Sequence, residues 1–262
     1  MTEGELWARR ETSALRDAGF RPAAVRRFLA ASFRRAGERR AARPELARQA
    51  RVWTAAGALA WVLPAAAGVE PLRRRWRSGV AWWALTALML DWHLGMAETE
   101  HGRPRPLGAA DACTLLRAWL VPVAADTPSP LVCAVAAATD ALDGPLARAG
   151  EPTRIGRDLE GLADVAFSTA AVRGAARRGW LSRSVAAVEG ARLLGGAAYA
   201  TAAYFRDGIG LDRTVTGAAR AAAPARAAGL IAAGMGRRRT ADALVGSAAL
   251  GSLAAAKRAR LR

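Results

Sequence analysis

Lysine is almost missing from this chain of 262 residues: Lys257 is the only one, so the excess of 39 Lys+Arg over 22 Asp+Glu, a formal net charge of +17, is carried by arginine. Arginine stays charged in nearly any surroundings and binds phosphate bidentately, which points to phosphate-bearing partners: anionic lipid, nucleotide or nucleic acid. Cysteine is scarce as well. Cys113 and Cys133 both sit in apolar stretches without metal-ligand spacing, which excludes a disulfide scaffold and a cysteine-built metal site. Strand-like alternation of apolar and polar residues is missing, so an all-α protein is expected. The charged N-terminus lacks the apolar core of a cleavable signal peptide, and none is expected.

What is present is a division. Apolar residues make up 52% and charged residues 23%, with a mean hydropathy of only +0.06. These figures exclude collagen and an intrinsically disordered chain. The mean conceals long Ala/Leu/Val/Trp stretches alternating with dense arginine clusters. A chain so divided needs two solvents, and a membrane protein is the leading class.

Residues 1–52 form a basic, helix-prone segment in which Val25, Phe28, Leu29 and Phe33 keep helical spacing between Arg26, Arg27, Arg34 and Arg35. One apolar stripe with a cationic face suits a helix lying on an anionic membrane, or a helical cap packed on the rest of the protein. No DNA- or RNA-binding motif accompanies the charge, so nucleic acid is not an expected partner. Apolar stretches then run near 53–69, 79–97, 112–127, 130–148, 161–177, 185–204, 215–235 and 240–256. Several approach the roughly 20 residues a bilayer requires. The first contains Pro64. Alanine and glycine dominate the later ones, and small residues let helix backbones approach closely in lipid. The reading is a polytopic transmembrane helical bundle: an extension over 1–52, additional helices over 53–111 and a membrane core over 112–262. Basic residues outside the N-terminal segment divide evenly between the two membrane sides, and that segment tips the count toward a cytoplasmic N-terminus.

Acidic residues in or beside membrane helices are costly, with a mid-helix Asp at roughly +2.5 to +3.5 kcal/mol on translocon scales, and mark function. Asp140 and Asp143 lie three apart on one helix face, and Glu160 and Asp164 lie four apart at the start of the next helix. The intervening loop carries Gly150, Pro152 and Gly156 and can turn sharply. A helical hairpin then gathers four carboxylates at one membrane surface. Clustered oxygen anions call for a hard divalent cation, Mg²⁺ or Mn²⁺, which in turn holds phosphates. Gly144 and Ala147 leave room for a ligand near the backbone, and Arg148 is suited to clamp a phosphate oxygen.

These residues resemble the signature of the CDP-alcohol phosphatidyltransferase family, Asp-x2-Asp-Gly-x2-Ala-Arg-x8-Gly-x3-Asp-x3-Asp. Here it reads Asp140, Asp143, Gly144, Ala147, Arg148, Gly156, Glu160, Asp164. Two departures stand out: the gap between Arg148 and Gly156 is one residue short, and Glu160 replaces an aspartate. Upstream, Thr114-Leu115-Leu116-Arg117 with Pro122 is similar to the start of the family's first core helix. The resemblance implies a six-helix core in which two Mg²⁺ or Mn²⁺ ions are held by Asp140, Asp143 and Glu160, with Asp164 close to the second ion. Asp164 would also be the catalytic base. Gly144, Ala147, Arg148, Gly156 and Thr114 would bind the substrate. A CDP-linked lipid such as CDP-diacylglycerol would pass its substituted phosphate to an alcohol acceptor and release CMP. The resemblance further implies a homodimer within membrane lipid, and the count of basic residues puts the site, which shares the side of the N-terminus, on the cytoplasmic face of the plasma membrane. The competing reading is a non-catalytic membrane protein that keeps the fold and a metal or nucleotide site.

Other residues keep two readings. Asp91 and His93 contact head groups or form a satisfied pair at a helix end. Thr114 and Arg117 contact cytidine or phosphate, or cap a helix. Arg73, Arg74, Arg75 and Arg77 flank Trp76 as an interfacial anchor, or belong to a substrate site. Arg192, Arg220 and Arg226 suit an anionic acceptor, or mark helix ends that lie a few residues away.

Overall fold

The computed structural model describes residues 2–99, 101–150, 153–205 and 213–260. Among them the secondary structure is helical, without a strand: α1 Glu3–Asp17, α2 Pro22–Ala42, α3 Pro44–Ala66, α4 Leu72–His93, α5 Ala109–Asp126, α6 Pro130–Ala149, α7 Arg154–Arg177, α8 Arg183–Phe205, α9 Arg213–Gly234 and α10 Arg238–Arg260. Pro152 of the expected sharp loop lies outside the described residues.

Local chemistry explains the helix starts. Thr2 caps α1 in a reciprocal arrangement: its hydroxyl accepts from the Glu5 N–H while the Glu5 carboxylate accepts from the Thr2 N–H. The chain leaves α1 through Gly19 and Phe20, both at positive φ. Proline then occupies the first position of both α2 and α3, where its missing N–H has no helical partner to lose. The basic segment over 1–52 is therefore two helices and the start of a third, since α3 begins nine residues before the apolar stretch at Trp53 and runs on through Pro64.

Two compact units divide the chain. The first comprises Met1–Trp119 and Asp140–Ala163, and the second Leu120–Thr139 and Asp164–Arg262. In the first, α3 and α4 form a hairpin held by interlocked tryptophans. A Cβ on Gly57 would stand 2.1 Å from the Trp83 ring, and one on Gly79 would stand 2.4 Å from the Trp61 ring. Only glycine permits such approaches. Trp83 Nε1 donates to Thr54 O at 2.7 Å, and Trp119 Nε1 donates to Gly57 O at 3.0 Å, so these two indoles keep their hydrogen bonds. On α2 the buried line is Ala24, Ser32 and Ala36. Phe33 meets Trp92 edge-on at 5.1 Å, so part of the predicted apolar stripe packs on the protein itself. Asp91 forms an ion pair with Arg40, and His93 Nδ1 lies 2.7 Å from Met89 O. Each residue thus has a partner of its own, Arg40 of α2 for Asp91 and the α4 backbone for His93, in place of the mutual pair expected at the α4 end. Arg73 bonds Glu70 at 3.2 Å, and the Arg77 guanidinium lies over the Trp76 ring.

In the second unit, α9 and α10 pack where glycine is small: a Cβ on Gly229 would come within 2.7 Å of Val245. Glu189 is fully buried, takes a two-pronged bond from Arg192 at 2.7 Å to each oxygen, and forms an ion pair with Arg226 at 2.8 Å. These two arginines are thus charge-paired within the protein. α6 is long and apolar enough to cross a membrane. Among the described residues it is the one helix that meets this length and composition, against the eight spans expected, and 22% of its apolar window is buried.

Candidate functional site

The site belongs to the first unit. Asp140 and Asp143 sit one turn apart on α6, and Glu160 sits in the second turn of α7. One carboxylate oxygen from each of the three lies within 4.8 Å of the others. Asp140 is exposed, Asp143 buried and Glu160 intermediate. Beneath them, on α5, the Arg117 side chain is only 2% exposed. Its Nη1 donates to Asp140 Oδ1 at 3.0 Å and its Nη2 to Asp143 Oδ2 at 2.5 Å. A guanidinium cannot lose its proton here, so it holds two carboxylates side by side that would otherwise repel. Three carboxylates and one guanidinium leave two net negative charges, an all-oxygen donor set that fits one hard divalent cation.

A cleft of about 230 Å³ adjoins the trio. Asp143, Glu160, Thr114, Ala147 and Gly156 line it, together with Asp111, Arg105, Gly108, Gly150 and Thr153. Of the expected substrate-binding residues, Thr114, Ala147 and Gly156 therefore face one space with two of the expected metal ligands. Gly144 and Arg148 are not among the described residues that line it. They neighbour each other on α6, where a Cβ on Gly144 would stand 3.4 Å from Arg148 Nη1. Asp164 follows Glu160 by one turn on α7 and belongs to the second unit. Thr114 is buried and its hydroxyl donates back to Ala110 O at 3.3 Å.

Asp111 was not singled out by motif, yet it is built into the cleft. It stands three residues after Gly108, ahead of the apolar span, and its Oδ2 accepts the Gly108 N–H at 2.7 Å. That is the return half of a capping box, the sequence signal by which it can be found. Burial pushes its carboxyl above the ordinary carboxylate range, against the opposing pull of the Gly108 N–H, the Thr153 hydroxyl and the charge of Arg105. On α7, a Cβ at Gly156 would stand 3.2 Å from Asp111 Oδ1 and 3.1 Å from Thr153 Oγ1. Any side chain there would crowd both groups, which accounts for glycine at this point of the motif.

The fold thus sets out a carboxylate trio braced by an arginine, beside a polar cleft. Residues 108–253 match the CDP-alcohol phosphatidyltransferase family, and the chain belongs to that family. The match covers the carboxylate trio, Asp111 and all six helices from α5 to α10 except the tail of α10. No curated protein and no solved structure matches the chain. Family membership implies transferase activity and a membrane-integral protein.

Proposed function

We propose that this protein transfers a substituted phosphate from a CDP-linked lipid, such as CDP-diacylglycerol, to an alcohol acceptor, releasing CMP. The observation that carries the reading is the coincidence of the family match with the trio of Asp140, Asp143 and Glu160 at the edge of a cleft. Those three residues, with Asp164 from the same motif, would hold Mg²⁺ or Mn²⁺. When bound, such ions neutralise the charge of a diphosphate and ease departure of its leaving group. The chain's own residues do the rest. The cleft beside the trio takes the nucleotide end of the donor, with Thr114, Ala147 and Gly156 in its walls. Gly144 and Arg148 serve the phosphates. Asp164 accepts the proton of the acceptor alcohol. The acceptor oxygen forms a bond to the lipid-side phosphorus, the bond from that phosphorus to the CMP oxygen breaks, and CMP leaves. A site at helix ends suits a donor whose nucleotide is water-soluble and whose acyl chains are not. The same reading puts the protein in the plasma membrane with its site on the cytoplasmic face, working as a homodimer.

The test is CMP release by the detergent-purified chain from CDP-diacylglycerol, with Mg²⁺ or Mn²⁺, across a panel of alcohol acceptors. Release that depends on one acceptor and stops with EDTA is expected. Asp164→Asn should abolish it while metal-dependent CDP binding persists, and Asp143→Ala should weaken both. Full activity in either variant overturns the assignment, and CDP binding without any release favours a non-catalytic protein on the same fold.

A further inference from the structure

The strap that leads into the cleft is held from outside the family domain. Its arms, Ala97–Thr99 and Arg103–Arg105, pair as a short β-like turn: Thr99 N–H donates to Arg103 O and Arg105 N–H donates to Ala97 O, each at 2.9 Å. The joint between α2 and α3 grips this turn. Arg43 Nη1 donates to Ala97 O at 2.8 Å and its Nη2 to Arg105 O at 2.7 Å. Six residues on, Gln49 of α3 makes a reciprocal pair with one peptide unit of the strap: its Nε2 donates to Leu107 O at 2.8 Å, and its Oε1 accepts the Leu107 N–H at 2.9 Å. Both backbone groups of the buried Leu107 are thereby satisfied by one side chain. Arg105 stands between these two grips. Its side chain lines the cleft, its charge is felt by Asp111, and its Nη2 lies 3.6 Å from where a Cβ on Gly150 would be.

We propose that the N-terminal helices shape the donor-substrate site: Arg43 and Gln49 are positioning residues that fix the strap, and through it Arg105 is a contact to the nucleotide end of the CDP-linked donor. The inference rests on the proposed nucleotide cleft. It follows from the number and kind of bonds involved. Four hydrogen bonds, two from Arg43 at the α2–α3 joint and two from Gln49 of α3, end on backbone groups of the strap, so they hold its course whatever side chains it carries. Two of them come from a guanidinium, and charge-assisted bonds are about twice as strong as neutral ones. Arg105 is the cationic group of the cleft wall. Cytidine nucleotides offer acceptor oxygens on base and phosphate to a guanidinium fork. The extension is then part of the catalytic apparatus as well as a basic appendage.

A double-mutant cycle on the full-length, detergent-purified protein tests this, reading CDP affinity in the presence of Mn²⁺ and Mn²⁺ affinity alone. Gln49→Leu and Arg105→Gln should each weaken CDP binding about tenfold, the worth of one good hydrogen bond to a charged or well-placed group. The double variant should be no weaker than about tenfold, because Gln49 acts through Arg105. Mn²⁺ affinity should hold in all three, since the trio is untouched. Arg43→Gln should repeat the pattern of Gln49→Leu. Independent effects that multiply to about a hundredfold, unchanged CDP affinity in Gln49→Leu, or a parallel loss of Mn²⁺ affinity would each overturn the assignment. Wild-type protein that binds Mn²⁺ but no CDP would instead bring down the nucleotide reading of the cleft, and this inference with it.

Discussion

Asp111 shows how much one carboxylate can be asked to do. It is 6% exposed, closes the first turn of α5 on Gly108, and bears on the start of α7 through Thr153. Its pKa in the folded protein lies above the unfolded value, chiefly because burial disfavours its charge. Such a group contributes its full stability below the unfolded pKa and loses it as the pH rises through the folded pKa. Asp111→Asn keeps an oxygen for the Gly108 N–H and removes the titration. Calorimetric melting temperatures should therefore fall on leaving the acid range in the parent and stay flatter in the variant. The trio nearby is legible from sequence, because helix periodicity alone pairs Asp140 with Asp143 and places Glu160 at the next helix start. Arg117 is different. Spacing along α5 does not say which neighbour its guanidinium will meet, so the choice between capping a helix, binding phosphate and bracing two aspartates is made only by the packing of α5 on α6.

At the scale of the element, the α3–α4 hairpin depends on two glycines facing two indoles. Adding one methyl group at Gly57 or Gly79 brings a carbon to 2.1 or 2.4 Å from an aromatic ring, a distance no pair of carbons tolerates. Overpacking of this kind typically costs about 1–3 kcal/mol. Gly57→Ala and Gly79→Ala should each lower stability by about that amount in denaturant titrations. Gly37→Ala is the control: its Cβ would meet nothing closer than 3.7 Å, and helix propensity favours alanine by about 0.5–1 kcal/mol. The apolar stretches locate every helix from α3 to α10, yet several helices begin earlier than their stretch does. Apolar periodicity marks only the part of a helix that meets lipid or core. The polar turn that starts α3 at Pro44, or α7 at Arg154, is set by local backbone chemistry that hydropathy does not register. The strap at 97–107 has no periodic signal, since its course is dictated by Arg43 and Gln49, more than 45 residues away in sequence.

For the whole molecule, the question is which solvent holds it. A net charge of +17 would bind polyanions as readily as membranes, but α6 is apolar and largely uncovered. Leu131 on α6, Leu194 on α8 and Leu250 on α10 are 72%, 71% and 60% exposed. Charge-mediated attachment weakens steeply with salt, whereas spanning helices do not respond to it. Washing isolated membranes with about 1 M salt, where the Debye length falls to about 3 Å from about 8 Å at physiological ionic strength, should leave the protein in the pellet, and detergent should release it; release by salt alone would overturn the spanning reading. The distribution of the indole residues has a practical consequence. Of nine tryptophans, Trp180 alone lies in the unit made of Leu120–Thr139 and Asp164–Arg262. The other eight lie in the unit that carries the trio and the cleft, and the rings of Trp61 and Trp119 meet at a tilt of 37° with centroids 4.9 Å apart. Ultraviolet emission from this protein is thus a built-in optical probe of the half that carries the trio and the cleft and nearly blind to the other, so ligand titrations and melts followed by fluorescence will report on one half of the chain, and circular dichroism on both.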